Sequence, residues 1–74
     1  SDFKIRSPTA TASVRGTAFT TSIDPVTGDT TYRVTEGTVA VKPTARGSKT
    51  ILVKAGNQVT VTKKGAGPIT PYVP

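Results

Sequence analysis

The chain contains no cysteine, histidine, methionine or tryptophan in its 74 residues. Without cysteine there is no disulfide, and without histidine or cysteine the commonest structural zinc ligands are missing as well. The same absences remove the usual general base and the most reactive nucleophile. A zero cysteine count suits an oxidising exterior and a reducing cytosol alike, so it assigns no compartment. No apolar run approaches the roughly 20 residues that span a bilayer, and Ser1-Asp2-Phe3-Lys4 lacks a signal-peptide apolar region, so no membrane insertion is expected of this segment. A start without methionine and a Gly/Pro-rich end are expected of a piece of a longer protein.

Acid is scarce too. Asp2, Asp24, Asp29 and Glu36 oppose ten lysines and arginines, leaving a net charge of +6. A charge in the range of roughly 2–8 keeps a small domain dispersed, and it also attracts polyanions such as acidic envelope polysaccharide. Lys42, Arg46, Lys49, Lys54, Lys63 and Lys64 are the residues that would serve such a polymer, although only Lys63-Lys64 form a run among them. Nucleic-acid recognition calls for aromatic side chains interleaved with cations, and only Phe3, Phe19, Tyr32 and Tyr72 are present. Nucleic acid is therefore not an expected partner, and an oligonucleotide-binding barrel is a minor alternative.

What the chain does have is threonine and valine in alternation, which suits a pleated, half-buried surface, and no stretch has the spacing of an amphipathic helix. Phe3 to Arg6 reads as a first strand ended by Ser7-Pro8. Ala10, Ala12 and Val14 share one face of a second. The apolar parity then changes, with Phe19 and Ile23 on odd positions, and a bulge or bend at Gly16 would repair it. Asp24-Pro25-Val26-Thr27-Gly28-Asp29 predicts an exposed hairpin loop, with proline presetting φ and the aspartates bonding nearby amides. Tyr32 and Val34 follow on one face.

Two matching phrases then appear, Val34 to Val41 around Gly37 and Val53 to Val61 around Gly56. Each predicts two strands joined by a tight glycine reversal, with Ile51, Val53 and Ala55 on one apolar face before the second turn. The step between them is about twenty residues, and two copies are too few for a solenoid. The expected fold is all-β, a small curled antiparallel sandwich or roll of about seven short strands. Residues 1–64 form the domain, and 65–74, rich in Gly and Pro, form a linker or a strap, the linker being favoured.

The acids predict no enzyme. Turn capping explains Asp24 more simply than an Asp24–Glu36 carboxylate pair does, and a calcium site at Asp24, Thr27 and Asp29 lacks the fuller oxygen set that calcium requires. Gly65-Ala66-Gly67 leads into prolines, not into a phosphate-binding helix. No cofactor or metal is expected. Arg15 stands out as a charge among small and apolar residues, with Glu36 as its natural partner if it faces inward and solvent as the alternative.

Four phrases in order, Ser7 to Ala12, Val14-Arg15-Gly16-Thr17-Ala18-Phe19, Glu36-Gly37-Thr38-Val39-Ala40-Val41 and Ala55-Gly56-Asn57-Gln58-Val59-Thr60-Val61, resemble the FecR-type domain over about residues 5–61. FecR-family regulators are inner-membrane proteins whose cytoplasmic part controls a sigma factor in iron-citrate transport and whose periplasmic part receives a signal from an outer-membrane receptor. Val-Arg-Gly-Thr-x-Phe is more similar to FecR-type modules of large exported proteins. The resemblance implies a bacterial β-rich module, periplasmic or extracellular, acting by protein–protein interaction in signal transduction, with no catalytic residue. The candidate motif residues are Val14, Arg15, Gly16, Thr17, Phe19, Glu36, Gly37 and Gly56. Candidate interaction residues are Asp24 and Asp29 on the hairpin loop and Lys49 and Lys54 at a strand edge, meeting another protein or another domain of the same chain. An acidic envelope polymer, or a spacer role in a surface protein, is the alternative.

Overall fold

Alternating β-branched residues resolve into nine strands in a computed structural model that describes residues 2–15 and 18–72, with the backbone alone of Asp2, Phe3 and Arg15. They are β1 (Asp2–Arg6), β2 (Ala10–Arg15), β3 (Ala18–Ile23), β4 (Thr30–Glu36), β5 (Thr38–Pro43), β6 (Ile51–Lys54), β7 (Asn57–Thr62), β8 (Gly65–Ala66) and β9 (Thr70–Pro71). Every pairing is antiparallel. One sheet has the order β1-β2-β5-β6, the other β3-β4-β7-β8 with β9 also on β7. The sheets face each other as a sandwich, and no helix among the described residues is long and apolar enough to cross a membrane.

The glycine phrases do not form the hairpins expected of them. β4 and β5 flank Gly37 but belong to different sheets, and β6 and β7 flank Gly56 in the same way. Their partners are each other's arms: β4 pairs β7 and β5 pairs β6. The two phrases are therefore two long strands that bend together from one sheet into the other. A corner and a reversal look alike in sequence, because both use a positive-φ glycine and both keep one apolar face on each side. Gly37 and Gly56 have φ of 77° and 85°. Val34 faces Asn57 and Thr38 faces Lys54, so Thr35, Glu36 and Gly37 lie opposite only Ala55 and Gly56. Ala55, expected on the apolar face with Ile51 and Val53, is exposed in this corner.

β2 and β3 pair with the first of these bent strands, β2 with β5 and β3 with β4. Ala10 pairs Pro43 and Val14 pairs Val39 in one sheet, while Phe19 pairs Val34 and Ile23 pairs Thr30 in the other. The partner numbers sum to the same value over Ala10 to Val14 in the first ladder and over Phe19 to Ile23 in the second ladder. Its irregularity lies between Ala18 and Phe19, where Ala18 faces Glu36 and Phe19 faces Val34. The extra residue, Thr35, turns its Oγ1 to the Ala18 carbonyl at 3.0 Å. The bend expected at Gly16 lies outside the described residues, as does Thr17.

Between the sheets, Ala10, Ala12 and Val14 of β2, Val39 and Val41 of β5 and Val53 of β6 meet Tyr32, Val34, Val59 and Val61. Ile5, Phe19 and Ile51 pack around them half-buried. The core is small-residue throughout apart from Tyr32, which lets the two sheets close without a large aromatic cluster.

Residues 65–72 are the strap, not the linker. β8 pairs Val61 and Thr62, β9 pairs Asn57 and Gln58, and between them the Gly67 amide donates to the Thr60 carbonyl at 2.9 Å. Proline interrupts a ladder by lacking an N–H, but two-residue ladders either side of Pro68 survive that interruption. The Tyr72 hydroxyl then donates to the Val34 carbonyl at 3.1 Å, fastening the end of the strap.

Candidate interaction surfaces

The β3–β4 hairpin tip carries Asp24 and Asp29, of which Asp24 joins the turn through its side chain and Asp29 through its backbone. The Asp24 carboxylate accepts from the Val26 amide at 2.8 Å and the Thr27 amide at 3.3 Å. The Asp29 amide donates to Thr27 Oγ1 at 3.2 Å. Gly28, with φ of 80°, closes the tip through its amide on the Asp24 carbonyl at 2.8 Å. Among the described residues no three Asp or Glu side chains gather into a metal-holding group. Glu36 ends β4, the strand that the Asp24 turn begins, which separates the two acids by about 20 Å at the usual strand rise. Paired-carboxylate glycoside chemistry works over roughly 5–10 Å, so this pair does not meet that geometry.

The tip is held to its neighbours by buried hydroxyls. Thr9 Oγ1 donates to the Gly28 carbonyl at 2.9 Å and lies 3.0 Å from Thr30 Oγ1. Thr30 Oγ1 donates to Ser7 Oγ at 2.8 Å, and Ser7 Oγ donates to the Ala10 carbonyl at 3.2 Å. Tyr32 lies at the inner side of this chain of hydroxyls, buried, with its own hydroxyl forming no hydrogen bond. Burial pushes the Tyr32 phenol above its ordinary pKa, and the nearby Ser7 hydroxyl offsets part of that rise.

Charge is distributed unevenly over the two outer faces. The first sheet turns out Lys4 and Arg6 of β1, Lys42 of β5 and Lys54 of β6, because even-numbered residues there alternate with the buried odd positions of β5 and β6 and with half-buried Ile5. Cross-strand register aligns Arg6, Thr11 and Lys42 in one row and Lys4, Ser13, Ala40 and Leu52 in the next. The second sheet turns out hydroxyls and Arg33, whose Nε donates to Gln58 Oε1 at 2.9 Å. Lys63 and Lys64 are elsewhere again, around a depression at the hairpin tip with Val26 and Asp29.

The edges differ as well. β8 and β9 cover the outer edge of β7, whereas β6, β1 and β3 end their sheets among the described residues. The expected edge at Lys49 to Lys54 is β6 and the loop before it, and Leu52 on that strand is 59% exposed. Lys54 stands beside the glycine corner, at the opposite end of the sandwich from Asp24 and Asp29, so the four candidate interaction residues do not form one site. Of the motif residues, Val14 is buried, Phe19 half-buried and Glu36 exposed. The Arg15 side chain lies outside the described residues, so its pairing with Glu36 does too.

Lys4 and Arg6 are the residues that sequence reasoning passed over. Their signal was present, two cations two apart on a strand whose intervening residue is Ile5. No protein-family model matches this chain, and neither the comparison with curated proteins nor that with solved structures finds a match.

Proposed function

We propose that this domain is a non-enzymatic interaction module that accepts an extended segment of another protein, or of another domain of its own chain, as an added strand on β6. The observation that carries the reading is the unequal treatment of the sheet edges. The chain covers β7 with its own strap, and of the edges uncovered among the described residues, β6 carries Leu52 59% exposed with Lys54 exposed beside it. An open edge presents a row of free amides and carbonyls, which supply affinity for an incoming strand, while flanking side chains supply selectivity. On β6 those side chains select an apolar residue against Leu52 and an acidic one near Lys54. The FecR-type resemblance extends the proposal to a bacterial exported or membrane-anchored protein, periplasmic or extracellular, relaying a signal towards a sigma-factor regulator. Support for that extension is the ordered set of four phrases described above.

The test is selection of strand-forming peptides from a displayed random library. Selected peptides are expected to slow amide exchange at Ile51 to Lys54 and to lose binding when Leu52→Glu places a charge against their apolar residue. Protection confined to β1 or β3 would overturn the reading.

A further inference from the structure

We infer that the outer face of the first sheet is a binding site for an acidic polysaccharide, independent of the strand-addition reading of β6. A shallow depression of about 500 Å³ on this face is lined by Lys4, Arg6 and Lys42 together with the hydroxyls of Ser7, Thr11 and Ser13. None of its described lining residues is acidic. A second depression shares Thr11, Lys42 and Thr44 with the first and carries the basic surface on to Arg46 in the loop after β5. The two together make a continuous track across the strands.

The spacing of the cations selects the ligand. Lys4 and Arg6 are two residues apart on one strand, about 6.6 Å, and Lys42 is two ladders from Arg6, about 9.6 Å. Charges set apart in this way on an open surface match a chain that repeats its anionic groups better than a compact anion. The Thr11 and Ser13 hydroxyls between the cations suit a hydroxyl-bearing polymer by exchanging hydrogen bonds at little desolvation cost. The described lining residues include no aromatic side chain, so they offer neither base stacking nor the stacking of neutral sugar rings. Lysine and arginine are free here to meet sulfate or carboxylate groups, with Arg6 able to take either in a fork.

The experiment measures binding of fluorescent low-molecular-weight heparin and of polygalacturonate, with oligothymidine and neutral dextran as competitors. The variants are Lys4→Gln/Arg6→Gln/Lys42→Gln and, as a charge-loss control, Lys63→Gln/Lys64→Gln, each checked for folding by its amide spectrum. The triple variant is expected to bind at least about tenfold more weakly and to lower the slope of log affinity against log salt by roughly 3, about one per removed contact. The control is expected to leave that slope nearly unchanged. Preference for heparin assigns a sulfated ligand, and preference for polygalacturonate a carboxylated one. Equal weakening of both variants, no binding of either polymer, or displacement by oligothymidine as effective as by heparin would overturn the site.

Discussion

The Ala55 amide donates to the Gly37 carbonyl at 2.9 Å, so the two glycine corners are bonded directly to each other. The adjacent Gly56 amide donates to the Val34 carbonyl at 2.7 Å, and the two bent strands turn between the sheets as one unit. At Gly56 a Cβ would meet nothing within 4 Å, so a side chain there is opposed by the backbone alone. Gly56→Ala is expected to cost about 1–2 kcal/mol for its positive φ, Gly56→Asn less, and Gly56→Val more. Urea unfolding measures all three. Equal stability of the alanine and wild-type proteins would contradict the corner.

Gly28 combines the same backbone demand with a crowded site, since an added Cβ would lie 3.2 Å from Pro8 Cβ. Gly28→Ala should therefore destabilise more than Gly56→Ala, and it should loosen the hairpin tip from the Ser7–Thr9 turn. Faster exchange of the Thr44 amide, which donates to the Thr9 carbonyl at 2.8 Å, reports that loosening.

The strap gives a third prediction. Tyr72→Phe removes the hydroxyl that donates to Val34 and should cost about 0.5–1.5 kcal/mol. Most of the effect should appear locally, as faster amide exchange along the outer edge of β7. Ending the chain after residue 64 should enlarge it and promote self-association through the uncovered edge. Analytical ultracentrifugation of the shortened and complete chains checks the second part.

Tyr32 provides a pH test. Its hydroxyl is buried without a hydrogen bond, so Tyr32→Phe should be neutral or stabilising, whereas Thr30→Val, which takes a donor from Ser7, should cost about 1–3 kcal/mol. The folded-state phenol pKa is raised, so the folded protein holds this proton more tightly than the unfolded chain. Its contribution is fully present below the unfolded value near 10 and is lost as pH rises beyond it. Urea unfolding between pH 8 and 11 should show wild type losing more stability than Tyr32→Phe above pH 10, the lysines being common to both.

Strand positions and the inward faces were legible because alternation is a local signal: Ala10, Ala12 and Val14 are buried as their parity requires. The hairpin tip was legible because Asp24 and Gly28 bond within six residues. Pairing partners were not, since Gly37 as a corner and Gly37 as a reversal satisfy the same local rules, and only contacts with Gly56 distinguish them. The strap was hidden for a similar reason, because Tyr72 finds Val34 across 38 positions. The basic face arises from register, which brings Arg6, Thr11 and Lys42 into a row from three separate stretches of chain.

Residue-resolved amide exchange of β6 and β7, without and with a selected strand-forming peptide, tests the open edge most directly. The outer-edge amides of β7 should exchange slowly in both cases, while the outward amides among Ile51 to Lys54 should exchange rapidly in the free domain and slow on addition of peptide. Slow exchange of those β6 amides in the free domain, or no change when a binding peptide is added, would contradict the account.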